Sequence, residues 1–460
     1  MSVGREGAGV DQGAQVEVED VEEILARVAA IDVAKASGMV CTRVPHDTKT
    51  GRRITKTWNV AATTRSLIEL ADHLACQGIE RVVIESTSDY WRPFFYLLEA
   101  RGLRVWLVNA RDVKNVPGRP KTDRLDAVWL AKLNERGMLR PSFVPPAEIR
   151  QLRDYTRLRL DLTEDRSRLK QRMEKLLEDA LIKLSIVATD IFGVSGRAMI
   201  EALIAGERDP HMLAELAKGR MRSKRPALVQ ALTGAFDDHH AELAQMILDQ
   251  VDVLTRQIDR LTLRIEERIA AIPATAADTD DRDCDGRADT PDPAAALPPI
   301  DRLDEIPGIG RHAAQIIIAE IGLDMARFPT AAHLVSWAKL CPATIQSGTK
   351  TKNGKPGKGD RYLKGVLGEV ATAAAKTDTF LGERYRRLIK RMPKGKALVA
   401  LARSILTIIW HLLADPAARY TDLGADFHTR RLDTGRKTRS LIHQLEALGH
   451  KVTLAPAEAA

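Results

Sequence analysis

The 460-residue chain reads as an α/β domain with a mixed sheet, then a helical coiled-coil region, then a mostly α-helical C-terminal domain. Three observations give this reading. Between residues 27 and 147, short apolar runs alternate with helical periodicity in the order β-β-β-α-β-α-β-α, which places helices on a mixed sheet. Residues 244–265 carry apolar positions alternately three and four apart. Residues 300–415 are dominated by long apolar stretches of helical period.

Each element has its own signal. "RVAAIDVA", "GMVCTRV" and "RITKTWNV" are strand-length runs, and "TTRSLIELADHLACQG" is an amphipathic helix. "RVVIEST" is a continuous apolar run, as a strand buried on both faces requires. "YWRPFFYLLEARG" closes a helix at Gly102, "RVWLVNA" is another buried strand, and "VPGRP" leads into the helix of "KTDRLDAVWLAKL". From about 148 the chain is helical and charged. In 244–265, Ala244, Ile247, Val251, Leu254, Ile258, Leu261 and Ile265 form a heptad seam that pairs either within the chain or between protomers.

The remaining stretches divide the chain. Residues 1–26 read as a disordered leader, 27–147 as the α/β domain, 148–273 as the helical coiled-coil region and 274–299 as an acidic Ala/Asp/Pro linker. Residues 300–415 form the C-terminal domain and 416–460 a basic tail. Within the linker, Asp281, Asp283, Asp285, Gly286, Asp289 and Asp292 are spaced like a calcium loop, but without flanking helices a solvated acidic linker is the better reading. The four cysteines are scattered with no CxxC pair, which points to a reducing compartment and neither disulfides nor zinc. The first twenty residues lack an apolar signal segment. "ALVALARSILTIIWHLLA" is interrupted by Arg403 and His411 and reads as a core helix rather than a membrane span. A soluble, cytoplasmic, bacterial-type protein without membrane contact is expected.

Net charge is +8, from 70 basic and 62 acidic residues. The distribution matters more than the sum. Acid gathers at 11–23 and 278–292, and base at 346–396 and 428–439, a segregation suited to a polyanion partner.

Four carboxylates stand where apolar residues belong. Asp32 sits mid-strand between Ile31 and Val33, and Glu85 ends "VVIE". On the helix, Asp123 and Asp126 share a face with Leu130 and Leu133. An unpaired buried carboxylate costs several kcal/mol. Neighbouring strands and a helix packed across their ends would gather all four, and divalent cations would relieve their repulsion. Oxygen donors suit Mg2+, and two ions about 4 Å apart serve phosphodiester chemistry. Singly, each acid has an ordinary alternative: Asp32 or Glu85 closing a turn or pairing with arginine, Asp123 at a helix N-terminus, Asp126 with a lysine.

"IDVAK", "VVIESTSDYW" and "KTDRLDA" resemble the DEDD transposases of the insertion-sequence one-ten family. That resemblance implies an RNase H-like, RuvC-like fold for the first domain, with Asp32, Glu85, Asp123 and Asp126 as catalytic metal ligands. One departure is visible: Ser86-Thr87-Ser88-Asp89 follows the glutamate where the family has Thr-Gly after an alanine.

The C-terminal half extends the resemblance. "IPGIG" before an apolar helix has helix-hairpin-helix form, in which Gly308 and Gly310 let backbone amides approach a phosphate; a tight turn between packed helices is the alternative. "LCPATIQSGTKTKNGKPGKGDRYLKG" is similar to the family's second domain, and by that similarity Ser347 is the catalytic nucleophile. Lys350, Lys352, Lys355, Lys358, Arg361 and Lys364 surround it with charge for a nucleic-acid backbone. Ser347 as a phosphate-contacting hydroxyl is the alternative. Serine needs activation, no histidine lies in the loop, and a metal-bound acidic site, from this or another protomer, is expected to supply it.

The resemblance thus implies a DNA transposase/recombinase that cleaves and rejoins double-stranded donor and target DNA through a covalent serine–DNA intermediate. It further implies guidance by a structured noncoding RNA of the element, a homodimer or homotetramer, and nucleoid association when acting. With 4% aromatic residues the chain has few stacking platforms, which suits backbone-dominated binding. A metal-dependent junction resolvase or RNase H-like nuclease, using the four acids alone, is the rival.

Overall fold

Two of the predicted strands are apolar on both faces, and both lie centrally in the first sheet. The computed structural model of the chain describes residues 25–49, 51–85, 88–109, 122–272, 297–342, 344–347, 350–354, 357–431 and 434–454. They form two compact units that divide between Val144 and Pro145. Most of the expected leader, the "VPGRP" loop, Ser86 and Thr87, nearly all of the expected linker with its aspartates, and Lys355 lie outside the described residues.

In the first unit, β1 (Val28–Val33), β2 (Ser37–Pro45) and β3 (Arg53–Ala61) make an antiparallel meander. β4 (Arg81–Glu85) and β5 (Val105–Val108) add in parallel beyond β1, for the order β3-β2-β1-β4-β5. Alternation of side chains sends Ile31, Val82 and Ile84 to one face, where Leu67 and Leu74 of α1 (Thr64–Cys76) and Phe94 and Leu98 of α2 (Trp91–Ala100) bury them. Ala30, Cys41 and Val83 face the other way, against Ala127, Leu130 and Ala131 of α3 (Asp123–Glu135). The sheet is therefore covered on both faces, which is why β1 and β4 are continuous apolar runs.

That covering has a measurable consequence. Burial pushes the Cys41 thiol up to about 11, whereas Cys76 is exposed. Iodoacetamide at mildly alkaline pH is expected to label Cys76 and spare Cys41 in the folded protein, since the thiolate is the reacting form. Equal labelling of both by mass spectrometry would contradict the packing.

The second unit is built on two 33-residue helices, α4 (Ala147–Asp179) and α5 (Asp238–Ala270), each about 50 Å long. They pack along one another, so the heptad seam pairs within the chain. Ala244, Val251, Ile258 and Ile265 are buried and Ile247, Leu254 and Leu261 half-buried, because one neighbouring helix covers only part of an apolar stripe. Between the two helices, residues 180–237 form a helical cap with its own core, including Met199, Ile200, Leu213, Leu228 and Phe236. The C-terminal part packs α6 (Arg311–Ile321) and α7 (Arg361–Ala374) with α8 (Lys394–Ala414). Helix α8 is long and apolar enough to cross a membrane. Here it is a core helix, as expected, burying Leu401, Ile405, Leu406 and Ile409.

Candidate functional site: paired strand-end acids and a basic ribbon

Asp32 and Glu85 are partners in the parallel β1–β4 register. Neighbouring strands lie about 5 Å apart, and both residues fall on the strand positions that face α3, two beyond Ala30 and Val83. Glu85 is 5% exposed and Asp32 is half-buried. Asp32 is one residue short of the end of β1 and Glu85 ends β4, and the register brings the two side by side.

Helix α3 is aimed at that end by contacts at its far terminus. Asn134 Nδ2 donates to the Ala29 carbonyl at 3.1 Å and to the Arg81 carbonyl at 3.2 Å, while Arg81 Nε donates to Asn134 Oδ1 at 2.7 Å. Arg81 is fully buried and its guanidinium stacks 3.9 Å above the Trp106 ring. The end of α3 thus sits at the start of β1 and β4. Counting back eight residues to Asp126 spans about 12 Å of helix, and counting forward to Asp32 and Glu85 spans about 10–13 Å of strand. Half-buried Asp126 is therefore level with the paired acids. Thr122 caps the helix, its side chain accepting from Leu125 N at 3.3 Å, and so fixes where the helix starts. Asp123 is its first residue, and its side chain lies outside the described residues. Among the described residues, no group of three or more His, Cys, Asp or Glu side chains is drawn together closely enough to hold a metal ion.

In the second unit Ser347 ends a strand that the sequence reading took for loop. Thr344–Ser347 (β6) and Lys350–Asn353 (β7) form a two-stranded antiparallel ribbon, with Ser347 in register opposite Lys350 and Ile345 opposite Lys352. The Thr-Ile-Gln-Ser and Lys-Thr-Lys-Asn tetrads on either side of Gly348-Thr349 were the available signal. The ribbon's return is pinned. Gly359 has φ +62°, and a Cβ there would lie 2.7 Å from the Ala338 carbonyl oxygen. Lys364 Nζ donates to Gly357 O at 3.0 Å, and Lys358 is exposed. Arg361 pairs with Asp161 at 2.9 Å, so a carboxylate already meets the charge assigned to a phosphate.

Helix α7 follows at once, capped by Asp360, whose carboxylate accepts from Tyr362 N and Leu363 N at 2.9 Å. The same carboxylate accepts from Arg157 Nη2 of α4 at 2.8 Å. Arg157 also forms a bidentate pair with Glu320, both bonds at 2.8 Å, and Arg153 closes on Glu320 at 3.2 Å. Glu320 is 1% exposed. Burial pulls the Arg153 guanidinium below its ordinary value, opposed by Glu320. Burial acts likewise on Arg157, but the hydrogen bond and charge of Glu320, with Asp360, carry it above. The acid inside "IIIAEIG" was the sequence clue to this buried network.

Of the two glycines in "IPGIG", Gly308 has φ +93°, and a Cβ would lie 2.6 Å from the Val370 carbonyl oxygen. Its lack of a Cβ lets α7 pack closely against it. Gly310 precedes α6 and has open space around it.

A sheet of order 3-2-1-4-5, antiparallel then parallel, with helices on both faces and acids ending its central strands, is the RNase H-like nuclease scaffold. Residues 29–182 match a DEDD-type IS110 transposase family model, and residues 300–386 match the transposase family IS116/IS110/IS902. Together these stretches span more than half of the chain, in the expected order. The chain belongs to the IS110 family of transposases, enzymes that act on DNA.

Among similar proteins, the uncharacterized 43.6 kDa protein of insertion element IS110 from Streptomyces coelicolor is 34% identical over 115 residues, or 25% of this chain and 28% of that one. The uncharacterized 42 kDa protein of IS900 from Mycobacterium paratuberculosis is 27% identical over 378 residues, covering 78% and 89%. This chain thus spans well under a third of the first relative and most of the second. A Thermus thermophilus RuvC structure aligns over 25% of this chain and 99% of its own, at 13% identity and a TM-score of 0.20. The strand order, not that likeness, carries the fold.

Proposed function

We propose that this transposase cleaves and rejoins DNA through a covalent bond to Ser347, with Mg2+ held by Asp32, Glu85, Asp123 and Asp126. The observation that carries the reading is the register pair Asp32–Glu85 facing the helix that bears the other two acids. Adjacent carboxylates offer only oxygen donors, the set that hard divalent ions prefer. When bound, one or two such ions would supply charge stabilisation to the reacting phosphate and activate the attacking oxygen.

In the strand-transfer step, Ser347 Oγ attacks a backbone phosphorus. The Oγ–P bond forms as a P–O bond to one deoxyribose breaks, and the hydroxyl proton passes to the departing deoxyribose oxygen. Rejoining reverses the exchange with a different DNA end. Each step trades one phosphodiester for another, so no external energy source is needed. The lysines of residues 350–364 support the reading by supplying positive charge for the strand. Guidance by a structured noncoding RNA, a homodimeric or homotetrameric assembly and a cytoplasmic, nucleoid-associated site of action belong to the same proposal. The low aromatic content fits recognition of backbone and shape, with sequence chosen by base pairing.

A denaturing gel with labelled element-end DNA tests this. The full chain with Mg2+ is expected to give a denaturant-resistant protein–DNA adduct that both Ser347→Ala and Asp126→Ala abolish. Undiminished cleavage by Ser347→Ala, with no adduct from the unmodified chain, would leave the acids acting alone, as in a resolvase.

A further inference from the structure

Residues 218–225, Lys-Gly-Arg-Met-Arg-Ser-Lys-Arg, contain five basic residues and no acid. They form a 3-10 turn, Gly219–Lys224, on the cap at the far end of the α4–α5 hairpin. Neighbouring arginines are neutralised: Arg225 by Glu215 at 2.7 Å, and Arg197 by Asp252 at 2.5 Å and Glu201 at 2.7 Å. Lys183 pairs with Glu178. Lys218, Arg220 and Arg222 are exposed and make no ion pair among the described residues. Lys224 reaches only the Val187 carbonyl, at 3.1 Å. Four like charges within seven residues repel, and among the described residues none of the four has an acidic partner. Such an arrangement lowers stability slightly unless an external polyanion completes it.

The cap's position gives the charge a use. Arg157, at the foot of α4, holds Asp360 at the ribbon's return. From Arg157 to Asp179 the helix rises about 33 Å, the length of about ten base pairs of B-form DNA at 3.4 Å each. Neither stretch matched to the transposase families reaches the 218–225 turn, since they end at 182 and begin at 300. No aromatic ring lies within 218–225, so the turn has no platform of its own for unstacked bases. We infer that Lys218, Arg220, Arg222 and Lys224 form a remote clamp on the phosphate backbone of duplex DNA, about one helical turn from the DNA engaged at the ribbon. This rests on the reading that the chain works on DNA, and it does not depend on Ser347 chemistry.

The test is fluorescence anisotropy of the full chain with a labelled DNA duplex of about 30 base pairs and arbitrary sequence, titrated between about 50 and 200 mM salt. Lys218→Gln/Arg220→Gln/Arg222→Gln is expected to lower the slope of log affinity against log salt by about 2 to 3, at roughly 0.9 per lost phosphate contact. Arg222→Gln alone lowers it by about 1, which keeps the test open should the triple variant misfold. Arg65→Gln and Arg101→Gln, exposed arginines already paired with Glu69 and Asp72, should leave the slope unchanged. DNA binding by the unmodified chain with an unaltered slope in both Gln variants overturns the clamp alone. No duplex binding by the unmodified chain overturns the DNA reading as well.

Discussion

Asp32→Asn is expected to reduce Mg2+-dependent strand cleavage on the order of 10³-fold. Asp32 and Glu85 are register partners at the ends of parallel strands, so two like charges face one helix. Turning one into an amide removes part of that repulsion. The same change removes a ligand oxygen, and losing several kcal/mol of charge stabilisation at a phosphate corresponds to about three powers of ten in rate. Calorimetry separates the two effects. The unmodified protein should gain thermal stability as Mg2+ is added, by mass action on a folded-state site, and Asp32→Asn should not. An identical Mg2+ response in both proteins, with cleavage retained, would remove Asp32 from any metal site.

Arg153→Met/Arg157→Met is expected to destabilise the second unit by about 3–5 kcal/mol in urea unfolding, because it leaves the Glu320 carboxylate buried without a cation. Glu320 is 1% exposed and its two arginines are 17% and 27% exposed, so solvent screens this cluster little. Adding Glu320→Leu to the pair should restore most of the loss, since apolar side chains of similar volume commonly replace a buried ion cluster without penalty. The triple variant is then informative about function. Arg157 joins α4 to the Asp360 cap of α7, so a protein stable again but with a loosened ribbon should still bind DNA and cleave it slowly. A double variant as stable as the unmodified chain would show that the network contributes nothing to the fold.

Much of this was legible in the residues. The unbroken apolar runs "VAAI" and "VVI" announced strands covered on both faces, and the acid that follows each run stood out against it. The "IIIAEIG" acid was equally visible, yet its partners, Arg153 and Arg157, lie more than 160 residues earlier, beyond the reach of local periodicity. The β6–β7 ribbon was missed because Lys, Gly and Thr alternate there without an apolar face, which removes the usual strand signal. Arg361 reads as a phosphate contact from its basic neighbours, and its exposed ion pair with Asp161, two hundred residues away, could not be read from them. Gly308 reads as a phosphate-approach glycine, and the close passage of α7 shows that packing also requires a glycine there.

By itself the sequence determined the order and type of the first domain's elements and marked four of that domain's acids as anomalous, because period and side-chain polarity are properties of neighbouring residues. Tertiary structure alone decided that Asp32 lies beside Glu85, that Asn134 and Arg81 aim α3 at them, and that Arg157 ties a distant helix to the ribbon. Strand register and helix docking are settled by burial and hydrogen bonds between segments far apart in the chain, where no short stretch of residues carries the information.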